Sequence, residues 1–369
     1  MNKYFDTFYG WWKNIDKFLL FLILSLFLLG LFFSLVSTSL IASDKLDTKS
    51  YYFFFKHSAY IILAIVIFII FSFLNQKILT KLSVILFLVA FLCLLLVPFL
   101  GIEVKGSKRW LDLIFLPRFQ PVEIVKPFFI VSLSLMLTIQ NRRLYFKYFL
   151  STLFIIPILT LLVYQPDIGQ TLLISMVWLV IIFVSGINIF IFFIFFFLVG
   201  TVVSYLVLFI PKFEYIKIRL LAFFDSSSSN NYQAEKASDA IINGGFFGKG
   251  IGEGTLNSRV PEAHTDYIVS VIAEEFGALI VIGILLLYLI FSYKVIQKIN
   301  ILNEDLLKLI LIGCVSLILL QTFIHVGVNI RLLPTTGMTL PFLSYGGSSI
   351  VSTAILSGII LNLTKRKID

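Results

Sequence analysis

The sequence predicts an all-α, polytopic membrane protein of about ten transmembrane helices, with a large extracytoplasmic loop between the seventh and eighth. Three observations predict it. Hydrophobic residues fill 59% of 369 positions and charged residues only 13%, against roughly 45–50% and 25% in soluble domains. Apolar runs recur along the chain at lengths that cross a hydrocarbon core about 30 Å thick. Finally, runs such as Ile187–Ile210 are apolar on every face, which a barrel strand with its alternating faces would not be.

In chain order the spans are expected over 18–37, 57–74, 82–100, 123–140, 146–164, 169–185, 187–210, 266–291, 306–328 and 341–363. The first run is long and no small-residue cleavage site follows it, so it is expected to remain as a helix. With ten crossings both termini share one side. The odd-side segments 1–17, 75–81, 141–147, 292–308 and 364–369 hold 14 basic and 5 acidic residues, and the rest of the chain holds 15 of each. The whole net charge of +9 thus sits on one face, which the positive-inside rule assigns to the cytoplasm. A multi-pass protein of the inner, cytoplasmic membrane with cytoplasmic tails at 1–17 and 364–369 is expected. The membrane is its partner, and nucleic acid is not. Chain 1–369 reads as one integral membrane domain.

That topology sends three polar segments outward: 101–126, the turn at 165–169 and the long loop 211–266. Loops this long are usually functional or disordered. Within it Ser226–Asn231 is low in complexity, and Asn243–Gly254 carries six glycines. A flexible connector is favoured over a ligand cradle there. No strand precedes the glycines and no Gly-Lys-Ser/Thr follows, so a nucleotide phosphate loop is not supported.

Ionisable groups near a bilayer are costly unless paired or wetted, so each is a candidate functional residue. In Gly106–Trp110, Lys108 and Arg109 stand beside the interfacial aromatic Trp110, an arrangement suited to a phosphate at headgroup depth or to simple anchoring on anionic lipid. Phe119–Glu123 brings Gln120 and Glu123, and Lys126 lies one helical turn after Glu123, where the two can pair. Gln165-Pro166-Asp167 leaves a carboxylate at a broken helix end, to be compensated by a cation of the neighbouring outer loop. In Pro261–Tyr267, His264, Thr265 and Asp266 close the long loop and open an apolar helix that holds Glu274 and Glu275. A carboxylate at that boundary is partly desolvated, which moves its pKa toward the range of a general base. A helix N-cap is the plain alternative for Asp266. Glu274 lies about 12 Å along a helix from it, beyond the roughly 5–9.5 Å of paired glycosidase carboxylates. Pro334–Ser349, with Ser344 and Ser348, has a density of small and hydroxyl residues that permits close helix approach.

Cys93 and Cys314 fall inside apolar runs and read as packing residues. His57 and His325 read as bundle residues, and no metal-ligand spacing emerges.

Together these motifs resemble the SEDS family (shape, elongation, division and sporulation) over essentially the whole chain. The carriers are Gly106–Trp110, Phe119–Glu123 with Lys126, Gln165–Gly169, Tyr232-Gln233, Asn243–Gly254, Pro261–Gly277 and Pro334–Ser349. The opening Trp11–Asp16 and the Pro334–Pro341 stretch look more like the division type than the elongation type. Val122, Ser226 and His325 depart from residues usual in the family. The resemblance implies a peptidoglycan glycosyltransferase that polymerises lipid II, the undecaprenyl-pyrophosphate-linked disaccharide peptide, at the outer face of the membrane during cell division. It makes Asp266 the catalytic base. The candidate substrate-binding residues are Lys108, Arg109, Trp110, Gln120, Glu123, Lys126, Gln165, Asp167, Gln233, His264, Thr265, Glu274, Glu275, Ser344 and Ser348. A class B penicillin-binding protein transpeptidase and other division or elongation proteins are the expected partners. A divalent cation, Mg or Mn, is a candidate cofactor. The competing readings are a flippase or transporter of the same lipid-linked precursor, an elongation-type polymerase and an inactive division scaffold.

Overall fold

The structure is a computed structural model, and it describes residues 9–39, 52–104, 107–113, 116–140, 142–210, 213–214, 217–218, 221, 223, 232–256 and 260–365. Residues 1–8 and 366–369 of the tails, Gly106 and the Ser226–Asn231 run lie outside the described residues.

Each expected span falls on a helix. In chain order these are α1 (Lys17–Ser39), α2 (Tyr52–Phe73), α3 (Gln76–Leu100), α4 (Pro121–Leu137), α5 (Leu144–Tyr164), α6 (Ile168–Val184) and α7 (Ile189–Phe209). Between α7 and the following spans lies α8 (Tyr232–Gly244); then come α9 (Ile268–Phe276), α10 (Ala278–Ile299), α11 (Asp305–Asn329) and α12 (Gly347–Leu363). Local chemistry sets several starts. Asp16 Oδ1 accepts from the Phe18 and Leu19 amides, both at 3.1 Å, and Asn75 Oδ1 accepts from Lys77 N at 3.0 Å, the N-cap pattern that satisfies orphan helix donors. Pro121 opens α4, where a missing N–H costs nothing. By length and composition α1, α2, α3, α5, α10 and α11 are each able to cross a membrane.

Besides α8, which lies inside the long outer loop, three features differ from the expected pattern. The span at 266–291 is broken at Gly277, whose φ of +86° an L side chain resists and whose Cβ, if present, would lie 2.2 Å from Phe246 O. The last helix begins at Gly347 rather than at 341, because residues 332–346 form an irregular strap with Gly337 at φ +68°. In the outer segment 101–126 three short strands form a sheet of order β1 (Ile102–Val104), β2 (Ser107–Leu113), β3 (Leu116–Phe119), antiparallel throughout.

The core runs through α12, whose side chains are buried on nearly every face. Gly358 lets it approach α2 closely, since a Cβ there would meet Phe68 O at 2.8 Å. Asn362 Nδ2 donates to Phe71 O (2.9 Å), Ser72 O (3.1 Å) and Leu74 O (2.6 Å), using one amide to satisfy the carbonyls at the end of α2. At the opposite end of α12, the strap, the small sheet and the turn before α9 meet.

Candidate functional site

At that end the bundle opens into a cavity of about 760 Å³, within the roughly 300–1,000 Å³ common for ligand sites. Its walls come from Lys56 and Tyr60 of α2, the three-stranded sheet, the start of α4, Gln170 of α6, the turn Glu262–Asp266, and the strap with the start of α12.

Arg109 and Lys108 are neighbours on β2, yet only one of them enters the cavity. Arg109 lines the cavity, while Lys108 is exposed away from it, opposite Glu103 on β1. The Arg109 fork also clamps the 165–167 turn. Its Nε donates to Gln165 O at 3.3 Å, its Nη2 donates to Pro166 O, and its Nε lies 3.8 Å from Asp167 Oδ2. The cation expected to compensate Asp167 is therefore Arg109. Burial pushes the Asp167 carboxyl up, against the pull of the Arg109 guanidinium. Gln120 Nε2 donates to Asp167 Oδ2 at 3.0 Å, and the Gln120 amide donates to Ser348 Oγ at 3.0 Å.

At the floor lies a buried charged pair, of which Glu123 lines the cavity and Lys126 lies behind it. Lys126 Nζ sits 2.7 Å from Glu123 Oε2, and neither side chain is more than 4% exposed. Gln170 Nε2 donates to Glu123 Oε1 at 2.7 Å, and Lys126 Nζ donates to Gln321 Oε1 at 3.1 Å. Gln321 Nε2 in turn donates to Thr339 O at 2.9 Å. The pairing read from the three-residue spacing is present, and it extends through Gln321 into the strap.

The strap meets the turn that carries Asp266. Ser344 Oγ donates to Thr265 O at 2.6 Å and accepts from Leu340 N at 2.8 Å, and Tyr345 N donates to His264 O at 3.0 Å. Asn329 Nδ2 holds Asp266 O at 3.1 Å. A Cβ at Gly337 would lie in ordinary contact with Asp266 Oδ2, at 3.5 Å, so the strap passes directly beside the carboxylate. Asp266 is not the N-cap considered for it: α9 begins at Ile268 and Tyr267 is its N-cap. Burial, with Tyr60 and Tyr52 alongside, pushes the Tyr345 hydroxyl up to about 12, so it lines the cavity as a neutral phenol.

Seven candidates from the sequence thus line the cavity: Arg109, Trp110, Gln120, Glu123, Thr265, Asp266 and Ser348. Lys126, Gln165, Asp167 and Ser344 are buried behind its walls and hold them. The structure does not bring the remaining candidates there. Besides Lys108, Gln233 is exposed on α8, and His264 packs at an angle against Phe53 and edge-on against Tyr345. Glu274 and Glu275 are buried against residues 243–256, where their carboxylates accept from Asn243 Nδ2, Leu256 N and Gly252 N. Sequence reasoning missed Lys56, Arg118, Gln170 and Glu262 among the lining residues. Lys56 and Arg118 carried a signal, each being a cation at an outer span boundary. Arg118 pairs with Asp112 at 2.9 Å. Among the described residues no three His, Cys, Asp or Glu side chains converge as metal ligands, so these residues do not supply a dedicated cage for a divalent cation.

A helical bundle crossing the membrane many times, with a charged cavity at one end walled by the ends of its helices and by their connections, defines the class: a polytopic membrane protein with a membrane-level polar site. The model of the cell cycle protein family that takes its name from FtsW, RodA and SpoVE matches residues 17–368, and the chain belongs to that family. It is 33% identical to the "Probable peptidoglycan glycosyltransferase FtsW" of Nitrosomonas europaea, over 95% of this chain and 92% of the relative. For the protein of the same name from Caulobacter vibrioides the figures are 30%, 97% and 91%. Among solved structures, a chain of a peptidoglycan synthase complex that coordinates polymerization and crosslinking superposes with a TM-score of 0.77 at 26% identity, over 95% of this chain and 97% of that one. The rod shape determining protein RodA of Thermus thermophilus superposes at 0.69 and 25% identity, over 95% and 96%.

Proposed function

We propose that this chain is the division-type peptidoglycan glycosyltransferase of its cell, polymerising lipid II on the outer face of the cytoplasmic membrane. One observation carries the reading: Asp266 shares a single membrane-level cavity with Arg109, Lys56 and Arg118, a base together with cations. Near-full-length similarity to proteins named as peptidoglycan glycosyltransferases supports it.

In this reading Asp266 takes the proton from the 4-hydroxyl of the acceptor sugar. The freed oxygen attacks the anomeric carbon of the donor, and the bond from that carbon to the lipid diphosphate breaks, its electron pair leaving with the diphosphate. Attack from the face opposite the leaving group inverts the anomeric centre. Arg109, fixed by three contacts to the 165–167 turn, offsets charge developing on the diphosphate without reorganising, the form of catalysis that is usually largest. A class B penicillin-binding protein is the proposed partner, since a similar fold occurs in a complex described as coordinating polymerization with crosslinking.

The test is polymerisation of purified lipid II. Wild-type chain makes glycan polymer and Asp266→Asn makes at least about a hundredfold less, the low end of the range for a general base. An unreduced yield from a folded Asp266→Asn variant removes the assignment. A fluorescent lipid II translocation assay in liposomes separates polymerase from flippase, because a polymerase moves no headgroup across the bilayer.

A further inference from the structure

Residues 245–252 lie outside the cavity and outside the proposed chemistry, and they are held more firmly than a connector needs. Ala278 N donates to Gly245 O at 2.9 Å and Leu279 N to Phe246 O at 3.3 Å, so the turn hangs on the first two amides of α10. Lys249 N donates to Glu274 O at 2.9 Å and Gly250 N to Glu275 O at 3.0 Å, taking up carbonyls that the end of α9 leaves open. The Glu275 carboxylate accepts Gly252 N at 3.2 Å, and Glu274 accepts Leu256 N at 2.9 Å. Gly248 (φ +80°) packs backbone on backbone, for a Cβ there would lie 2.2 Å from Glu275 O. The glycines expected to make a flexible connector instead make a stapled turn.

That turn presents apolar side chains outward. Phe247 is 84% exposed, and Phe246 and Ile251 are exposed beside it. Its depth is set by the same hydrogen bonds. α10 is long and apolar enough to cross the membrane, and Leu279, Ile280 and Ile282 in its first turns are exposed, as lipid-facing residues are. A turn bonded to Ala278 and Leu279 lies at the level where α10 enters the bilayer, and its apolar tip continues the lipid-facing side of that helix. Lys249, also exposed, flanks the tip where a cation can reach lipid phosphate while its stem stays in the apolar layer.

We infer that the Gly245–Ile251 turn is a membrane-interface anchor: Phe246 and Phe247 embed at the boundary between headgroups and acyl chains of the leaflet next to the cavity, with Lys249 facing the lipid phosphates. The pattern of exposed aromatics with a flanking cation is that of interfacial segments. Because α9 ends in the staple and begins two residues after Asp266, the anchor holds that helix at a set depth. The inference depends on α10 crossing the bilayer and not on the polymerase reading.

Spin labelling of the full chain in phosphatidylethanolamine/phosphatidylglycerol nanodiscs tests it. The native cysteines are removed as Cys93→Ala and Cys314→Ala, and single labels are placed by Phe247→Cys, Phe246→Cys, Leu279→Cys as lipid reference and Asn303→Cys as water reference. The expected result is collision with a water-soluble nickel reagent several-fold lower at 246 and 247 than at 303, with oxygen collision close to that at 279. Labels at 246 and 247 as accessible to nickel as the label at 303 overturn the anchor. So does protection that appears only when a partner protein is added, which would make the tip a protein-docking surface. Two label sites guard against the failure of either variant to fold.

Discussion

Lys126 is a full-length cation with no exposed surface, held between Glu123 and Gln321. Burying a charge is tolerable only when it is paired and hydrogen-bonded, so the pair is expected to behave as one unit. Lys126→Met leaves Glu123 buried and uncompensated, and thermal unfolding in detergent is expected to show a loss of about 3–5 kcal/mol. Glu123→Gln combined with Lys126→Met removes both charges and is expected to recover most of that loss. Arg109 acts differently, because its planar fork reaches Gln165 O, Pro166 O and Asp167 together. A lysine there keeps the charge and loses the fork. Arg109→Lys is expected to lower polymer yield from lipid II at least about tenfold, the effect of removing about 1.4 kcal/mol of transition-state stabilisation, while a thermal unfolding midpoint in detergent equal to wild type shows that folding is intact.

Among elements, α9 shows how a broken helix is stabilised. Its last carbonyls and its two glutamates serve residues 243–256 rather than a ligand, and Gly277 is the joint that turns the chain into α10. Gly277→Ala forces a Cβ to 2.2 Å from Phe246 O at a φ of +86°. A cost of at least about 1–3 kcal/mol is expected for the strain, seen as faster proteolytic nicking between 245 and 256 in the folded protein. This staple was not legible in the sequence. Six glycines suggest looseness, and only the neighbouring backbone reveals that two of them, Gly244 and Gly248, are needed where α8 and the turn press against α9. The helix α8 was missed for a related reason: its buried face is only Ala234, Ala237, Ala240 and Gly244, too small to register as an apolar stripe.

For the whole molecule, distant elements are joined at both ends of the bundle. At the end away from the cavity, Asp16 before α1 meets Lys298 at the end of α10 at 2.9 Å. Burial alone would push the Asp16 carboxyl up, but the Lys298 ammonium and the Leu19 and Phe18 amides outweigh it and hold it below the usual carboxylate range. A depressed carboxyl contributes stability above its unfolded pKa, about 3.9, and that stability is lost as pH falls through the lower folded value. Wild type is therefore expected to exceed Asp16→Asn by about 0.2–1 kcal/mol at neutral pH, with the difference vanishing in melts well below pH 4.

Composition and periodicity determined the membrane class, the positions of the spans to within a few residues at most ends, and the Glu123–Lys126 pair, because each depends on residues close in the chain. The motifs also marked most of the residues around the cavity. Tertiary structure alone decided which of them face it. Lys108 and Arg109 look equivalent in sequence, and only the packing of β2, a strand that no apolar run announced, brings Arg109 and not Lys108 to the cavity. Asp266, Gly337 and Arg109 come together only when a strap from the end of the chain crosses the turn before α9. Side-chain direction on a strand and contacts between segments more than fifty residues apart are set by packing, and packing leaves no local periodicity to read.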